Sequence, residues 1–260
     1  MHGLEGSSQS KYIISAIKYL NAHKIDCVAL NFRGCSGEDN MHLHSYNSGK
    51  TDDLDVTINY LLEHYNYKNI ILLGYSMGGN IALKYLGETS SIASKIKGAI
   101  AISVPCDLKG SSSALAKRTN SIYMKRFLKT LKEKTLLKIK SFPKNNINKE
   151  AVLNAKTFED FDNAVTAPLS GYKNAEDYWA KCSSKQFIPH INKPTLLINS
   201  LDDSFLSKSC YPFNEAKDHS YLNFETPKYG GHVGFNTSYF GKDLFWSENR
   251  ILNYINHIIS

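Results

Sequence analysis

The sequence predicts an α/β fold: a mostly parallel sheet flanked by helices and interrupted by a helical insertion. Two observations predict it. An apolar run at residues 69–73 leads straight into the turn Gly74-Tyr75-Ser76-Met77-Gly78-Gly79, and a helical pattern at 80–86 leads straight out. Two more short runs of buried-strand character, 98–104 closed by Pro105 and 194–200, continue the alternation on either side of a long helical stretch.

The chain opens on His2-Gly3-Leu4-Glu5-Gly6-Ser7-Ser8, and a helix follows with Ile13, Ala16, Ile17 and Leu20 on one face. Residues 26–32 read as a strand leading into the glycine-punctuated loop Arg33-Gly34-Cys35-Ser36-Gly37, which runs on through Tyr46. From Thr51 as N-cap, with Asp52 and Asp53 in the first turn, a helix places Leu54, Ile58, Leu61, Leu62 and Tyr65 on one face. It is the crossover that feeds the strand before Ser76. A last strand at 220–226 precedes a glycine-rich turn around His232, and a final helix carries Leu252, Ile255 and Ile259. The expected division is a core of 1–105 and 191–260 around a basic helical cap at 106–190.

Composition narrows the class. The 260 residues are ample for one core with an insertion. No apolar run reaches the roughly twenty residues needed to span a bilayer, and the first residues show neither a charged n-region nor a cleavable apolar segment. The five cysteines, Cys27, Cys35, Cys106, Cys182 and Cys210, are widely spaced without a C-x-x-C pair, so neither a disulfide framework nor a zinc site is indicated. The chain therefore reads as cytoplasmic and reduced. Its charge is concentrated: residues 107–150 carry twelve Lys or Arg against three acids, a local +9 that exceeds the +7 of the whole chain. With Ile122, Phe127, Leu128 and Leu131 near helical spacing, this stretch reads as a basic amphipathic cap helix, resting on an anionic membrane or covering an acyl pocket, or as a solvated lid face. No nucleic-acid motif or interleaved stacking aromatics accompany it.

The chemistry-bearing residues follow from the turn. Gly74 and Gly78 bracket Ser76 in the G-x-S-x-G spacing, which lifts a serine hydroxyl above a sheet as a nucleophile, and the helix starting at Met77 aims its free N–H groups at an oxyanion. A histidine-glycine pair before a helix supplies a second such donor, here the N–H of Leu4. Beyond 194–200 come Asp202 and Asp203, and spacing alone does not separate them. His232 completes the order serine, acid, histidine expected of a hydrolytic triad, with His219 and His257 as weaker alternatives. His42 and His44 lack further ligands at metal spacing and read as loop hydrogen-bonders, and Cys35, outside any strand-to-helix turn, reads as a packed thiol.

Together, His2-Gly3-Leu4-Glu5-Gly6-Ser7, residues 31–37, 74–80 and 161–167, Asp202-Asp203-Ser204-Phe205 and 230–235 resemble the YheT-like branch of the α/β-hydrolase superfamily over essentially the whole chain. The resemblance implies the α/β-hydrolase fold and an esterase-like hydrolase acting on short or medium acyl esters, some eukaryotic relatives acting on phospholipids or transferring acyl groups to alcohols. It implies Asp203 as the triad acid. It also implies further N-terminal strands, the expectation being that a chain with only Met1 before His2 is shortened or has a misplaced start. The expected mechanism is acyl transfer through a Ser76 acyl-enzyme, with His232 as base, Asp203 as its partner, Leu4 and Met77 at the oxyanion, and no metal or organic cofactor. Acyl transfer to an alcohol, or membrane-surface binding without effective catalysis, are the other readings.

Overall fold

A computed structural model describes residues 1–89, 93–235 and 246–260. Four strands, β1 (Ile70–Tyr75), β2 (Ile96–Ile102), β3 (Thr195–Ile198) and β4 (Leu222–Glu225), form one parallel sheet in the order β1-β2-β3-β4. They are bounded as the apolar runs predict, within a few residues. In chain order the helices are α1 (Lys11–Ala22), α2 (Asp52–His64), α3 (Met77–Glu88), α4 (Leu108–Leu115), α5 (Ser121–Ser141), α6 (Lys149–Asn154), α7 (Phe158–Phe161), α8 (Ala167–Ser170), α9 (Ala175–Cys182), α10 (Phe213–Ala216) and α11 (Trp246–Ile259).

Strand alternation divides the core into two layers. Ala99, Ala101 and Leu197 pack against Leu54, Ile58, Ile81, Leu83 and Leu86 of α2 and α3. Ile100, Ile102, Leu196 and Ile198 face the other way, against Ile13, Ala16, Leu20, Ile251 and Ile255 of α1 and α11. In the final helix the buried face is Ile251, Tyr254 and Ile255, while Ile259 lies in the open. Thr51 stands at the N-cap of α2 without a capping bond, its hydroxyl donating instead to Glu88.

Residues 26–32 are not a strand. β1 is the outer strand of the sheet as described, and across a cleft of about 390 Å³ from it lies the irregular segment 25–30. A strand exists by its ladder, and among the described residues this segment has no ladder partner. On the edge of β1 away from β2, Met1 pairs with it: its amine donates to the Leu73 carbonyl (2.7 Å), and the Tyr75 N–H donates to the Met1 carbonyl (3.1 Å), the bond pattern of a parallel pair carried by one residue. Burial lowers the pKa of this amine to about 5.

Helices α4 to α9 lie between β2 and β3. Side chains cap the starts of four of them: Asp107 accepts from the Gly110 N–H at α4, Asn148 from Ala151 at α6 and Asn174 from Asp177 at α9, and Thr157 and Asp160 form a capping box at α7. Between α7 and α8 the chain makes a π-helical turn, Asp162–Thr166. The inner face of α5 is Met124 and Leu128 with Phe127 and Leu131 beside them, whereas Ile122 points outward at 78% exposure. The expected apolar stripe is thus corrected by one member. Among the described residues no helix is long and apolar enough to cross a membrane.

His2 fastens the N-terminal turn to segment 26–32. Its Nδ1 donates to the Gly3 carbonyl (2.7 Å), so Nε2 is the acceptor for the Phe32 N–H (3.1 Å). The ring is fully buried, and desolvation lowers its pKa to about 4. The unfolded imidazole takes its proton at about 6.5, so this contribution to stability is complete above that pH and is lost as pH falls toward 4. His2→Ala leaves the Phe32 N–H without a partner and is expected to lower urea stability at pH 7 by about 1–3 kcal/mol. The gap from wild type should narrow from pH 7 to pH 4; equal stabilities at pH 7, or a pH-independent gap, would show that His2 is not the fastening.

Candidate active site

Ser76 occupies the bend between β1 and α3. Its φ of 52° and ψ of −120° are disfavoured for any residue with a Cβ. Neighbours hold it there: the Ser76 N–H donates to the Ile102 carbonyl (2.8 Å), and the Asn80 N–H to the Ser76 carbonyl (3.0 Å). Close approach of the N-terminal turn explains the next glycine, since a Cβ at Gly78 would stand 2.7 Å from the His2 carbonyl oxygen. The same turn passes directly by the serine, a Cβ at Gly3 falling 3.1 Å from Ser76 Cβ. Leu4 and Met77 line the cavity beside Ser76, and Met77 opens α3, where N–H groups have no partner within the helix.

His232 lies across from Ser76. The Ser76 hydroxyl donates to Nε2 at 3.1 Å, and Nδ1–H donates to Asp203 Oδ2 at 2.8 Å. The side chain of Asp203 is wholly buried, and its Oδ1 accepts the Phe205 N–H (2.9 Å). Asp202 points elsewhere: its Oδ1 takes the Gly231 N–H (2.8 Å) and so tethers the histidine loop by its backbone. Ser200 Oγ donates to the Gly231 carbonyl, the Val233 N–H donates to Ser103 Oγ, and the Phe205 ring stacks on the imidazole with centroids 4.3 Å apart. The loop is therefore positioned from the ends of β2 and β3.

The other histidines are placed differently. His219 bonds the Ile188 carbonyl through Nε2, His44 bonds the Leu169 carbonyl, His42 is exposed in its loop, and His257 lies on the outer face of α11. Burial pushes the Cys35 thiol up, and Lys134 reaches its sulfur at 3.5 Å while also bonding Glu5.

Above the serine is a cavity of about 180 Å³. Leu115, Phe127, Leu131, Phe158 and Phe205 give it an apolar wall. Asn47, Asp162, Ser170 and Tyr178 line it too. Burial raises the Asp162 carboxyl to about 6, against hydrogen bonds from the Thr166 hydroxyl and Trp179 Nε1. Sequence reasoning assigned Asp162 no role, although the passage containing it contributes to the family resemblance. Two buried asparagines were missed as well. Asn80 binds the Ser48 and Cys182 carbonyls and the Ser184 N–H, and Asn199 ties both backbone groups of Val104. Their polarity gave no signal, since such residues are ordinary on a surface.

A family model described as alpha/beta hydrolase fold matches residues 1–236. YheT of Escherichia coli (strain K12), which carries the name of an esterase, is 30% identical over 255 residues, 98% of this chain and 74% of that protein. Human phospholipase ABHD3 is 29% identical over 90% of this chain and 57% of its own length, and the Saccharomyces cerevisiae monoacylglycerol lipase is 29% identical over 90% and 54%. The chain thus spans little more than half of the latter two. The solved Pyrococcus furiosus esterase Pf2001 shares the fold, with a TM-score of 0.64 at 16% identity, covering 100% of this chain and 80% of that one.

Backbone strain at Ser76 is directly measurable. Ser76→Gly is expected to be more stable than Ser76→Ala by about 1 kcal/mol, because glycine relieves a penalty of about 1–3 kcal/mol at the cost of its greater unfolded freedom. Equal chemical-denaturation midpoints would mean that the bend is unstrained.

Proposed function

The chain belongs to the alpha/beta hydrolase family, in its YheT-like branch, and from that premise we propose that it hydrolyses carboxylic esters through Ser76, His232 and Asp203. The observation that carries the reading is the imidazole of His232 bonded at once to the serine hydroxyl (3.1 Å) and to a buried carboxylate (2.8 Å). Names of relatives support ester chemistry in general: an esterase, a phospholipase and a monoacylglycerol lipase.

In this mechanism Nε2 of His232 takes the Ser76 proton as Oγ attacks the ester carbonyl. Asp203 holds the ring with Nδ1 protonated and stabilises the imidazolium that forms. The tetrahedral oxyanion is held by the N–H groups of Leu4 and Met77, each such donor being worth on the order of 10²–10³ in rate. The imidazolium returns its proton to the leaving alcohol. Water, activated by the same ring, then cleaves the acyl-enzyme. The acyl chain lies along Leu115, Phe127, Phe158 and Phe205. Phe127 and Leu131 also line the cavity, which supports α5 as the cover of an acyl pocket rather than a membrane anchor.

A panel of p-nitrophenyl esters of increasing chain length tests the proposal. Wild type should cleave short to medium chains best, and Ser76→Ala and Asp203→Asn should each lose on the order of 10⁴ in kcat. Asp202→Asn, which affects only a backbone tether, should lose about tenfold or less. A wild type inactive across the panel while folded, or equal losses for the two aspartates, would contradict the assignment.

A further inference from the structure

The cavity above Ser76 has walls of different chemistry. One is the apolar surface described above. Another is the π-helical turn with α9, where the half-buried Asp162 lines the cavity. Hydrogen bonds tie the turn to α9. Asn163 Oδ1 accepts the Ala175 N–H at the start of α9 (2.8 Å), and Trp179 Nε1 donates to Asp162 Oδ2 (2.8 Å). An inserted π turn of this kind is frequent where a side chain must be presented to a ligand.

We propose that Asp162 selects the alcohol half of the ester, accepting a hydrogen bond from a hydroxyl carried by the leaving alcohol. This rests on the hydrolase reading of Ser76. A carboxylate offers about four acceptor sites. Thr166 and Trp179 use two, which suffices to hold the turn and leaves acceptor capacity toward the cavity. An acyl chain has no donor to offer. Laid against Asp162 it would strip water from the carboxylate without replacement, an unfavourable exchange. The acyl chain therefore takes the phenylalanine wall, and the group that meets Asp162 belongs to the alcohol.

The carboxyl titrates at about 6, and a hydrogen bond to the ionised form is roughly twice as strong as one to the neutral form. Selectivity for a hydroxylated alcohol should then rise with pH through that value. The groups facing Asp162 from α9 are the Tyr178 phenol and the Cys182 thiol, both pushed up by burial. Around the rest of the cavity stand Lys134 and Lys138 of α5, Glu5, Arg33, Asp39 and His232. Proton transfer by His232 is common to both esters, so it cancels in a ratio of two substrates that share an acyl group.

The test compares 2-hydroxyethyl hexanoate with ethyl hexanoate in a pH-stat, using wild type and Asp162→Asn. Asparagine keeps an acceptor for Trp179 and so preserves the turn. The expected wild-type ratio of kcat/KM, hydroxylated over plain, exceeds one and climbs between pH 5 and 7 with a midpoint near 6. In the variant the ratio should fall about tenfold or more, the rate equivalent of one charge-assisted hydrogen bond, and lose its pH dependence. A ratio unchanged by the substitution, or flat with pH in wild type, overturns the assignment of Asp162 alone. Should the variant fail to fold, the wild-type pH profile decides. Folded wild type that cleaves neither ester defeats the hydrolase reading, and this proposal with it.

Discussion

One row of backbone pairing organises the molecule. Tyr75 pairs with Ile102, Ile102 with Ile198 and Ile198 with Glu225, so all four parallel strands end level with one another. Whatever follows each strand therefore emerges along a single edge: Ser76 after β1, Ser103 after β2, Asp203 shortly after β3 and the His232 loop after β4. The loops at that edge are joined by side-chain bonds rather than by further sheet, Ser103 and Ser200 to the histidine loop and Asn199 to Val104. A register slip of one residue would invert every strand side chain and scatter these groups. The apolar alternation of β2 and β3 that fixes the core thus also fixes the site.

Much of this was legible in the chain because the local signals agree. Short β-branched and leucine-rich runs mark the strands, and the bend at Ser76 is announced by the glycines around it. What failed did so where the answer depends on a distant partner. Residues 26–32 have strand composition but, among the described residues, no strand to pair with, and composition cannot supply one. Asp202 and Asp203 are adjacent, so spacing left them equivalent. In the structure their carboxylates serve different parts of the same loop, one its backbone and the other its imidazole. Ile122 fitted a helical stripe on α5, but it is Met124, Leu128 and their neighbours that meet the rest of the insertion.

The segment between β2 and β3 supplies much of the lining of the cavity above Ser76, apolar and polar side chains alike. Its caps are local and readable, whereas its contribution to the cavity arises only when it folds back over Ser76. Asp162 shows the difference most plainly. Along the sequence it is one acid in a short helical stretch, and only the π turn beneath it and the indole beside it place it inside the cavity. At the opposite side, the turn at His2 and Gly3 presses on α3 near Gly78, so the first residues of the chain complete the surroundings of the serine.

The account stands on Ser76 being an activated nucleophile. The most direct measurement is intact-mass and peptide mapping of the folded protein after exposure to a fluorophosphonate, which captures an activated serine by forming a stable phosphonyl ester. The account predicts a single adduct, on the peptide containing Ser76, that forms far more slowly in His232→Ala. A folded wild-type protein that stays unmodified, or an adduct on another residue with Ser76 free, would contradict it.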